Sequence, residues 1–486
     1  MNIAAQTYVA SITILSLPFH VELLGAEAYG LVGVFASLQI LFSLIDLGLT
    51  PTIARQSSRF NAAVITLIEY RQIIFVVEVV FAAIAIAGGG VLFILADVIA
   101  QKWLTANSIS HKELGSLIQL MAIIVAIRWF GGIYRGIMAG SEKVMELALV
   151  NCLVASARFI FVLPVLKRAD NPAEAFFNYQ LCVACVELFV LIVLGKATLP
   201  TLPTSYRMKF SFNYLRSLWT FFASIGFTSA AWIAMAQADK VILTKILSLS
   251  EYGLFTVATM LAAGVMSIST PIGNALMPRL ARVHAAGKNE EVCEIYRKAT
   301  RLTILLVFPV GLLIAVFAEE VLWIWTGDAY IAAKVNQVLT LYTIGNLALV
   351  VAAFPYYLQY AIGDLRLHVS GNSISLILMI PSMVVASAFE GMRGTAWVWM
   401  ASNVAYLLLW VPVIHRKFVS SIAKSWSLRD VAAPTLLQLV FVLLMVQNFN
   451  FSVNRFFLMV EMTLVLALIF ALTFIYFRLI DPIVTR

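Results

Sequence analysis

The feature that most constrains this chain is a series of apolar runs, each long enough to cross a bilayer, that continues from one end to the other. About 20 apolar residues in a helix span the hydrocarbon core of a membrane. Because the connections between runs are short, the sequence predicts an all-α polytopic membrane protein with about fourteen transmembrane helices. The predicted segments are residues 2–23, 29–51, 73–97, 115–137, 146–166, 174–195, 213–236, 252–277, 302–325, 336–361, 369–389, 394–414, 431–449 and 456–478.

The charged residues support a membrane location and predict an orientation. Only 12% of the residues are charged, about half the share in a soluble domain. The basic residues behind the net charge of +8 concentrate in loops on one predicted side. Such loops face the cytoplasm and its anionic lipids. We therefore expect a multi-pass protein of the cell (inner) membrane with both termini cytoplasmic, membrane lipids as partners, and no nucleic-acid partner.

An internal repeat organises the predicted helices. The tripeptide Tyr-Gly-Leu opens the second segment at residues 29–31 and the eighth segment at residues 252–254. The same spacing relates Tyr134 to Tyr357, near the ends of the fourth and tenth segments. The repeat unit is thus six helices, and an even number gives both copies the same orientation in the membrane. Parallel repeats of this kind bind substrate between them.

The repeat predicts three parts of the chain. Residues 1–212 form an N-terminal six-helix lobe, residues 213–430 form a C-terminal six-helix lobe, and residues 431–486 add two transmembrane helices. This organisation suits a transporter that alternates access between the two sides of the membrane better than it suits a membrane enzyme.

Two motifs resemble those of a known family. Residues 24–31 read LGAEAYGL and residues 44–49 read LIDLGL. They resemble the polysaccharide biosynthesis (O-antigen flippase, Wzx-type) family of the multidrug/oligosaccharidyl-lipid/polysaccharide exporter superfamily, which the helix count fits across nearly the whole chain. The resemblance implies a flippase that moves an undecaprenyl-diphosphate-linked oligosaccharide, such as an O-antigen unit for lipopolysaccharide, to the outer leaflet. It also implies a central, often cationic cavity and polysaccharide polymerase machinery as a partner.

Charged side chains inside apolar segments are the first candidates for the transport site, because a charge at mid-membrane costs about 3 kcal/mol even on insertion scales. All of them fall in the predicted N-terminal lobe, which favours function over chance placement. They are Asp46, Glu78, Arg128, Arg158 and Glu187, with Arg135 at a helix end.

The arginines are the predicted substrate ligands. Arg128 and Arg135 share one face of a helix with Gly131 between them, and guanidinium groups can grip a diphosphate bidentately. Arg158 is a third candidate. The alternative is that these arginines pair with Glu187 or Glu78, or that Arg135 reaches to the membrane surface. The two glutamates are equally candidates for coupling transport to a proton or sodium ion.

Polar stripes on two repeat-related helices are candidates for contacting sugar, although they serve equally well for hydrogen bonds between helices. Asp46 has two further interpretations, as a site for a coupling ion and as a cap for the adjoining loop. The stripes are Gln39, Ser43, Asp46 and Thr50 on the second segment, and Thr256, Thr259, Ser267, Thr270 and Asn274 on the eighth.

Aromatic residues offer a stacking surface for sugar rings, with interface anchoring or core packing as the alternative. The candidates are Tyr356, Tyr357 and Tyr360 on the tenth segment, with Trp129 and Tyr134 on the fourth.

Other function classes have less support. Cys182 and Cys185 form a C-x-x-C inside an apolar segment without a second Cys/His pair, so we expect no metal site. No P-loop and no large outer loop are present. We therefore predict no enzyme and no cofactor beyond a coupling proton or sodium ion. The alternatives are a cation-coupled multidrug or metabolite exporter of the same fold and, with less support, a membrane polysaccharide polymerase.

Overall fold

The computed structural model describes residues 2–43, 46, 48–201, 233–448 and 451–480. These residues are almost entirely helical, and the described part contains no β-strand beyond an isolated bridge between Thr105 and Ser248. The prediction of an all-α membrane protein is confirmed. By compactness the chain divides into a first unit, Met1–Gly253, and a second unit, Leu254–Arg486. The predicted lobe boundary at 212/213 lies outside the described residues.

The first unit contains nine described helices and the first turn of the tenth. They are α1 (Asn2–Ser43), α2 (Leu49–Asn61), α3 (Leu67–Lys102), α4 (His111–Phe130), α5 (Gly132–Gly140), α6 (Val144–Phe159), α7 (Leu163–Leu166), α8 (Pro172–Thr198) and α9 (residues 233–246).

The second unit continues along α10 and contains eight further α-helices and two π-helical segments. They are α10 (Leu249–Ala285), α11 (Asn289–Val316), α12 (Ala318–Thr326), α13 (Ala329–Ile362), α14 (Arg366–Ala405), a π segment (Tyr406–Trp410), α15 (Val411–Phe418), α16 (Ser420–Ser425), a second π segment (Trp426–Ala432), α17 (Ala433–Asn448) and α18 (Arg455–Ile480).

Eleven helical stretches in the described residues are long and apolar enough to cross a membrane. Two of them bend where a glycine leaves helical geometry, Gly25 (φ 77°) in α1 and Gly391 (φ 56°) in α14. Positive φ is accessible to glycine at little cost. Each of these two bent stretches covers most or all of two predicted segments, separated at the bend. The predicted segment 213–236 lies mostly outside the described residues. With these three adjustments the eleven stretches agree with about fourteen predicted segments.

One predicted segment, residues 29–51, is interrupted. Helix α1 ends at Ser43, Asp46 lies in a short 3₁₀ turn, and α2 begins at Leu49 after Gly48 in the left-handed conformation (φ 84°). Gly48 and Pro51 are the local signals for this break. The expectation that Gln39, Ser43, Asp46 and Thr50 follow one continuous helix is wrong, because the stripe is spread over two helices and a turn.

A hydrophobic core in the first unit holds the elements that surround the charged residues. It joins α2, α3, α5, α6 and α8 through residues such as Ile53, Phe81 and Ile137, with Trp129 of α4 packed at its edge. Tyr134 lies so close to Gly195 that a Cβ at that glycine would collide with its ring. This packing fixes α4 and α5 against α8.

In the second unit, the two C-terminal helices pack on α11 and α12 around Phe317, Val442 and Ile469. Arg455, at the start of α18, donates from Nε to the carbonyl oxygen of Ile324 (2.8 Å). It thus satisfies a carbonyl at the C-terminal end of α12. These helices are an integral part of the second unit.

Candidate functional site

A cavity of about 220 Å³ in the first unit brings together much of the predicted site. It is formed where α1 breaks and where α4 ends, so that the polar residues around the break meet the last turn of α4. Its lining consists of Gln39, Phe42, Ser43, Asp46, Thr50, Val125, Arg128, Trp129 and Gly132. The polar stripe and Arg128 therefore share one space, although the stripe is not one helix.

Asp46 caps the start of α2. Its Oδ1 accepts hydrogen bonds from the backbone N–H of Thr50 (3.1 Å) and from the Thr50 hydroxyl (3.0 Å). The capping interpretation of Asp46 thus has direct support, since an aspartate ahead of a helix satisfies an otherwise unpaired N–H. The residue also lines the cavity, so the cap and the cavity share one carboxylate.

Arg128 is held by amides. It donates to Oε1 of Gln39 (3.1 Å) and to Oε1 of Gln180 (2.6 Å), and its guanidinium lies 5.3 Å from the centre of the Phe35 ring. Gln180 is itself fixed by donating to the carbonyl oxygen of Arg158 (3.0 Å). Within the described part of the chain, no carboxylate lies at ion-pair distance from Arg128. Its positive charge is oriented but not neutralised by a direct partner.

Arg135 and Arg158 share Glu187. One carboxylate oxygen of Glu187 accepts from Arg135 and the other accepts from Arg158, while Arg135 also donates to the side chain of Asn151. Glu187 is only 5% exposed. For these two arginines, the alternative of ion pairing with Glu187 is observed, and pairing between Arg128 and Glu187 or Glu78 is not.

Glu78 has a different environment, because it accepts a hydrogen bond from the hydroxyl of Tyr134. In the described residues it forms no ion pair. Two guanidinium groups therefore contact Glu187, Arg128 is bound by amides instead, and the second carboxylate, Glu78, has a neutral donor. Arg128 thus lacks a direct carboxylate partner among the described residues, an arrangement that is favourable only where an anion or water can reach its guanidinium.

Two residues that sequence reasoning missed are essential parts of this arrangement, Gln180 and Asn151. A signal for them exists in the sequence. Arg128 and Arg135, Asn151 and Arg158, and Gln180 and Glu187 are three pairs spaced seven residues apart, and residues seven apart share one helix face.

The predicted sugar-contacting residues of the second unit divide into two groups. The Thr259 side chain is buried and its hydroxyl donates to the carbonyl oxygen of Phe255 (3.0 Å). Ser267 and Asn274 are exposed on α10. Tyr357 packs against Gly273, the neighbour of Asn274, closely enough that a Cβ at Gly273 would meet the tyrosine hydroxyl.

The buried charges of the second unit lie elsewhere, at the start of α11. Asp430 in the second π segment is fully buried and accepts from Nε of Arg297 (2.6 Å) and from Nε of Arg301 (2.8 Å). The thiols of Cys182 and Cys185 are exposed and unbridged. The described residues contain no cluster of His, Cys, Asp or Glu that could hold a metal ion.

Comparison with solved structures identifies the fold. The chain superposes on the lipid II flippase MurJ in an inward closed conformation with a TM-score of 0.74, covering 97% of this chain and 99% of that one at 14% identity. An inward-facing multidrug resistance MATE family transporter of the MOP superfamily gives a TM-score of 0.67 over 87% of this chain and 99% of that one, at 13% identity. At these identities the likeness concerns the fold alone.

Comparison with sequences identifies the family. A Shigella flexneri protein provisionally named an O-antigen transporter is 21% identical over 417 residues, which cover 82% of this chain and 93% of that protein. A Salmonella typhi protein with the same provisional name is 23% identical over 286 residues, 57% of this chain and 63% of that protein. The profile of the family described as "Polysaccharide biosynthesis protein" matches residues 21–335, well over half of the chain. The chain therefore belongs to this family of polysaccharide biosynthesis proteins.

Proposed function

We propose that the protein flips an undecaprenyl-diphosphate-linked oligosaccharide, an O-antigen or other surface polysaccharide unit, from the cytoplasmic to the periplasmic leaflet of the inner membrane by alternating access. Membership of the family, relatives provisionally named O-antigen transporters, and the fold of a lipid II flippase support this proposal. We expect the polysaccharide polymerase machinery to take up the product on the periplasmic side.

The observation that carries the proposal is the environment of the Arg128 side chain. Its guanidinium is oriented by two glutamine oxygens and lines a cavity, and no described carboxylate pairs with it. A diphosphate is a strong acceptor for guanidinium donors. An anion in this cavity would supply the missing counter-charge, so the site favours an anionic headgroup over a cationic drug.

The neighbouring triad strengthens the field in that cavity. Glu187 balances only one of the two arginines that it touches, Arg135 and Arg158. Charges in a low-dielectric interior act over longer distances than charges in water. The triad therefore adds to the attraction of a diphosphate at Arg128 without contacting it.

A cation-coupled exporter of the same fold is the second candidate. One observation favours it, since Asp46 lines the same cavity as Arg128 and a cationic substrate requires an acidic partner. The Asp46 carboxylate is, however, engaged with Thr50, whereas Arg128 would repel a cation. The anionic substrate is therefore preferred.

The proposed direction of transport requires both termini in the cytoplasm. Reporter fusions should place Asn289, at the start of α11, and the C-terminus in the cytoplasm, and Ser108, between α3 and α4, in the periplasm. A periplasmic signal at Asn289 would contradict the six-helix repeat and this orientation.

Flipping in reconstituted vesicles tests the function directly. Vesicles that contain the protein and an undecaprenyl-diphosphate-linked oligosaccharide are probed with a membrane-impermeant lectin, which reports sugar as it reaches the far leaflet. Arg128→Ala should reduce the flipping rate about tenfold or more, the value of one or two charged hydrogen bonds. Arg128→Lys should retain part of the rate, because it keeps the charge and loses the bidentate geometry.

Arg393→Ala is the matched control, since Arg393 is an exposed arginine of the second unit. It should flip at the unaltered rate. Normal flipping by Arg128→Ala at normal abundance in the vesicles would refute the role of Arg128. No flipping by the unaltered protein, with the protein folded, would refute the proposed function.

A further inference from the structure

One face of α10 in the second unit is exposed and yet unlike the lipid-facing surfaces of the protein. Between residues 263 and 278 the exposed side chains are small or polar, with Ile268 the bulkiest at 37% exposure. No charged residue lies on α10 between Glu251 and Arg279. The exposed positions on this face are Ala263, Ser267, Ile268, Thr270, Asn274, Ala275 and Pro278.

The lipid-facing helices show the contrast. Helix α18 exposes Phe456, Leu464 and Leu479, and α3 exposes Ile86 and Ile94, each more than half exposed. Bulky apolar side chains of this kind are what hydrocarbon favours. The face of α10 lacks them, so its composition fits a surface that borders water or a polar ligand.

The hydrogen-bonding capacity of this face is concentrated in Asn274. The hydroxyls of Ser267 and Thr270 donate to carbonyl oxygens one turn earlier on α10, at 3.5 and 3.1 Å. Asn274 has no hydrogen-bond partner in the described residues and offers two donors and an acceptor. The hydroxyls keep their lone pairs as acceptors for an incoming O–H or N–H.

Aromatic rings pack on the flank of this face, at the buried Gly273. Tyr357 packs on Gly273 of α10, and the ring of Tyr356 lies 5.7 Å from that of Tyr357 and 4.5 Å from that of His368. Tyr360, one turn further along α13, is half exposed. Through Tyr357, the last turns of α13 thus place aromatic side chains beside the stretch of α10 that carries the amide and the hydroxyls.

We propose that this surface, comprising Ser267, Thr270, Asn274, Tyr357 and Tyr360, is a binding wall for the uncharged glycan of the transported lipid. Sugar hydroxyls would bond to Asn274 and Thr270, and the apolar face of a sugar ring would lie on the tyrosines. The inference rests on the proposed function and deepens it. The cavity at Arg128 is proposed for the diphosphate, and this uncharged surface of the second unit is proposed for the sugars.

The test is a comparison of two probes on purified protein in lipid nanodiscs. The first probe is undecaprenyl diphosphate without sugar, and the second is undecaprenyl diphosphate that carries an uncharged tetrasaccharide. Native mass spectrometry gives the dissociation constant of each. Asn274→Leu and Tyr360→Leu should each weaken binding of the second probe about fivefold, as expected for one or two lost contacts. They should leave binding of the first probe unchanged.

Two further variants make the outcomes distinct. Thr463→Val is the matched control, because Thr463 is an exposed threonine on α18 that also bonds to its own helix; it should change neither constant. Arg128→Ala should weaken both probes. If Asn274→Leu and Tyr360→Leu leave the second probe unaffected, or weaken both probes equally, the glycan wall is refuted while the proposed function stands. If the unaltered protein binds neither probe, the proposed function itself is refuted.

Discussion

The two units use polar side chains in opposite ways. In the first unit, ionised groups from α4, α5, α6 and α8 meet inside the helical bundle, where Arg128 lines a cavity and Glu187 serves two arginines. In the second unit, the exposed polar face of α10 carries no charge. The buried Asp430 forms ion pairs that join a π segment to α11. A cavity-lining arginine thus lies in the first unit, and an exposed, uncharged polar face lies in the second.

The comparison also separates two kinds of buried charge. Both Glu187 and Asp430 are buried carboxylates shared by two arginines. Near Glu187 a third arginine, Arg128, lines a cavity and is held by Gln180, whereas Arg429, beside Asp430, is exposed. We therefore take the cavity-lining arginine, and not the buried ion pair, as the candidate sign of function.

The largest expected effects come from removing these two carboxylates. Glu187→Gln and Asp430→Asn should each lower the free energy of unfolding by about 3 kcal/mol, because each removes a buried carboxylate shared by two partly buried arginines. Thermal unfolding in detergent measures the change. Among the molecules that stay folded, Asp430→Asn should flip substrate at the normal rate per molecule, and Glu187→Gln should not. Equal flipping by both would remove the functional distinction between the units.

Coupling provides the next test of the charged site. We propose that Glu78, which has a neutral donor in Tyr134, is the carboxylate that a coupling proton or sodium ion reaches, because Glu187 is already occupied by two arginines. Glu78→Gln should abolish the dependence of flipping on pH or sodium in vesicles, and Tyr134→Phe should shift it. Unaltered dependence in Glu78→Gln, and in the Glu78→Gln/Glu187→Gln double variant, would exclude both glutamates from coupling.

Two buried glutamines, one in each unit, allow the same comparison with smaller expected effects. Gln180 bonds to Arg128, whereas Gln438 on α17 is buried with no hydrogen-bond partner among the described residues. Gln180→Leu should weaken binding of undecaprenyl diphosphate about fivefold to tenfold, since Arg128 loses its shorter bond. Gln438→Leu should instead raise the melting temperature and leave binding unchanged, because it removes an unpaired buried amide. A binding loss in Gln438→Leu would show that the amide effect is not specific to the first unit.

The smallest effect is expected outside the membrane-spanning segments. Asp364, in the turn between α13 and α14, accepts from Arg366 and from Lys417 (2.8 Å), and these hydrogen bonds lower the pKa of its carboxyl group. A lowered pKa contributes stability above the unfolded-state pKa, and this is lost as the pH falls through the folded-state pKa. Because both cations are exposed, Lys417→Met should shift the melting temperature at pH 7 by less than about 2 °C. The substitution should lower the melting temperature more at pH 7 than at pH 3, because Asp364 contributes less stability at the lower pH. A larger loss at pH 3 would contradict the lowered pKa.

The helices were predictable from the sequence because apolar length alone defines a membrane span. The end of α1 at Ser43 and the new start of α2 at Leu49 were missed, although Gly48 and Pro51 mark the break, because the apolar run continues in the sequence. The four residues of the stripe nevertheless line one cavity, although they lie on two helices and a turn.

The partners within the charged site could not be predicted from one chain. Helix periodicity places Arg128 and Arg135 on a common face, but only the packing of α6 and α8 decides which of them meets Glu187. The glutamine that holds Arg128 follows the same seven-residue spacing as the charges. Polar uncharged residues at that spacing inside apolar segments therefore merit the same attention as charged ones.

The sharing of Glu187 has a consequence for how the sequence can change over evolution. Loss of Arg135 or Arg158 leaves one balanced ion pair, whereas loss of Glu187 leaves two partly buried cations without a carboxylate partner. Glu187 should therefore be the last of the three to be replaced among relatives. Sequences that lack it should have lost both arginines as well, so that the three positions on α5, α6 and α8 vary together.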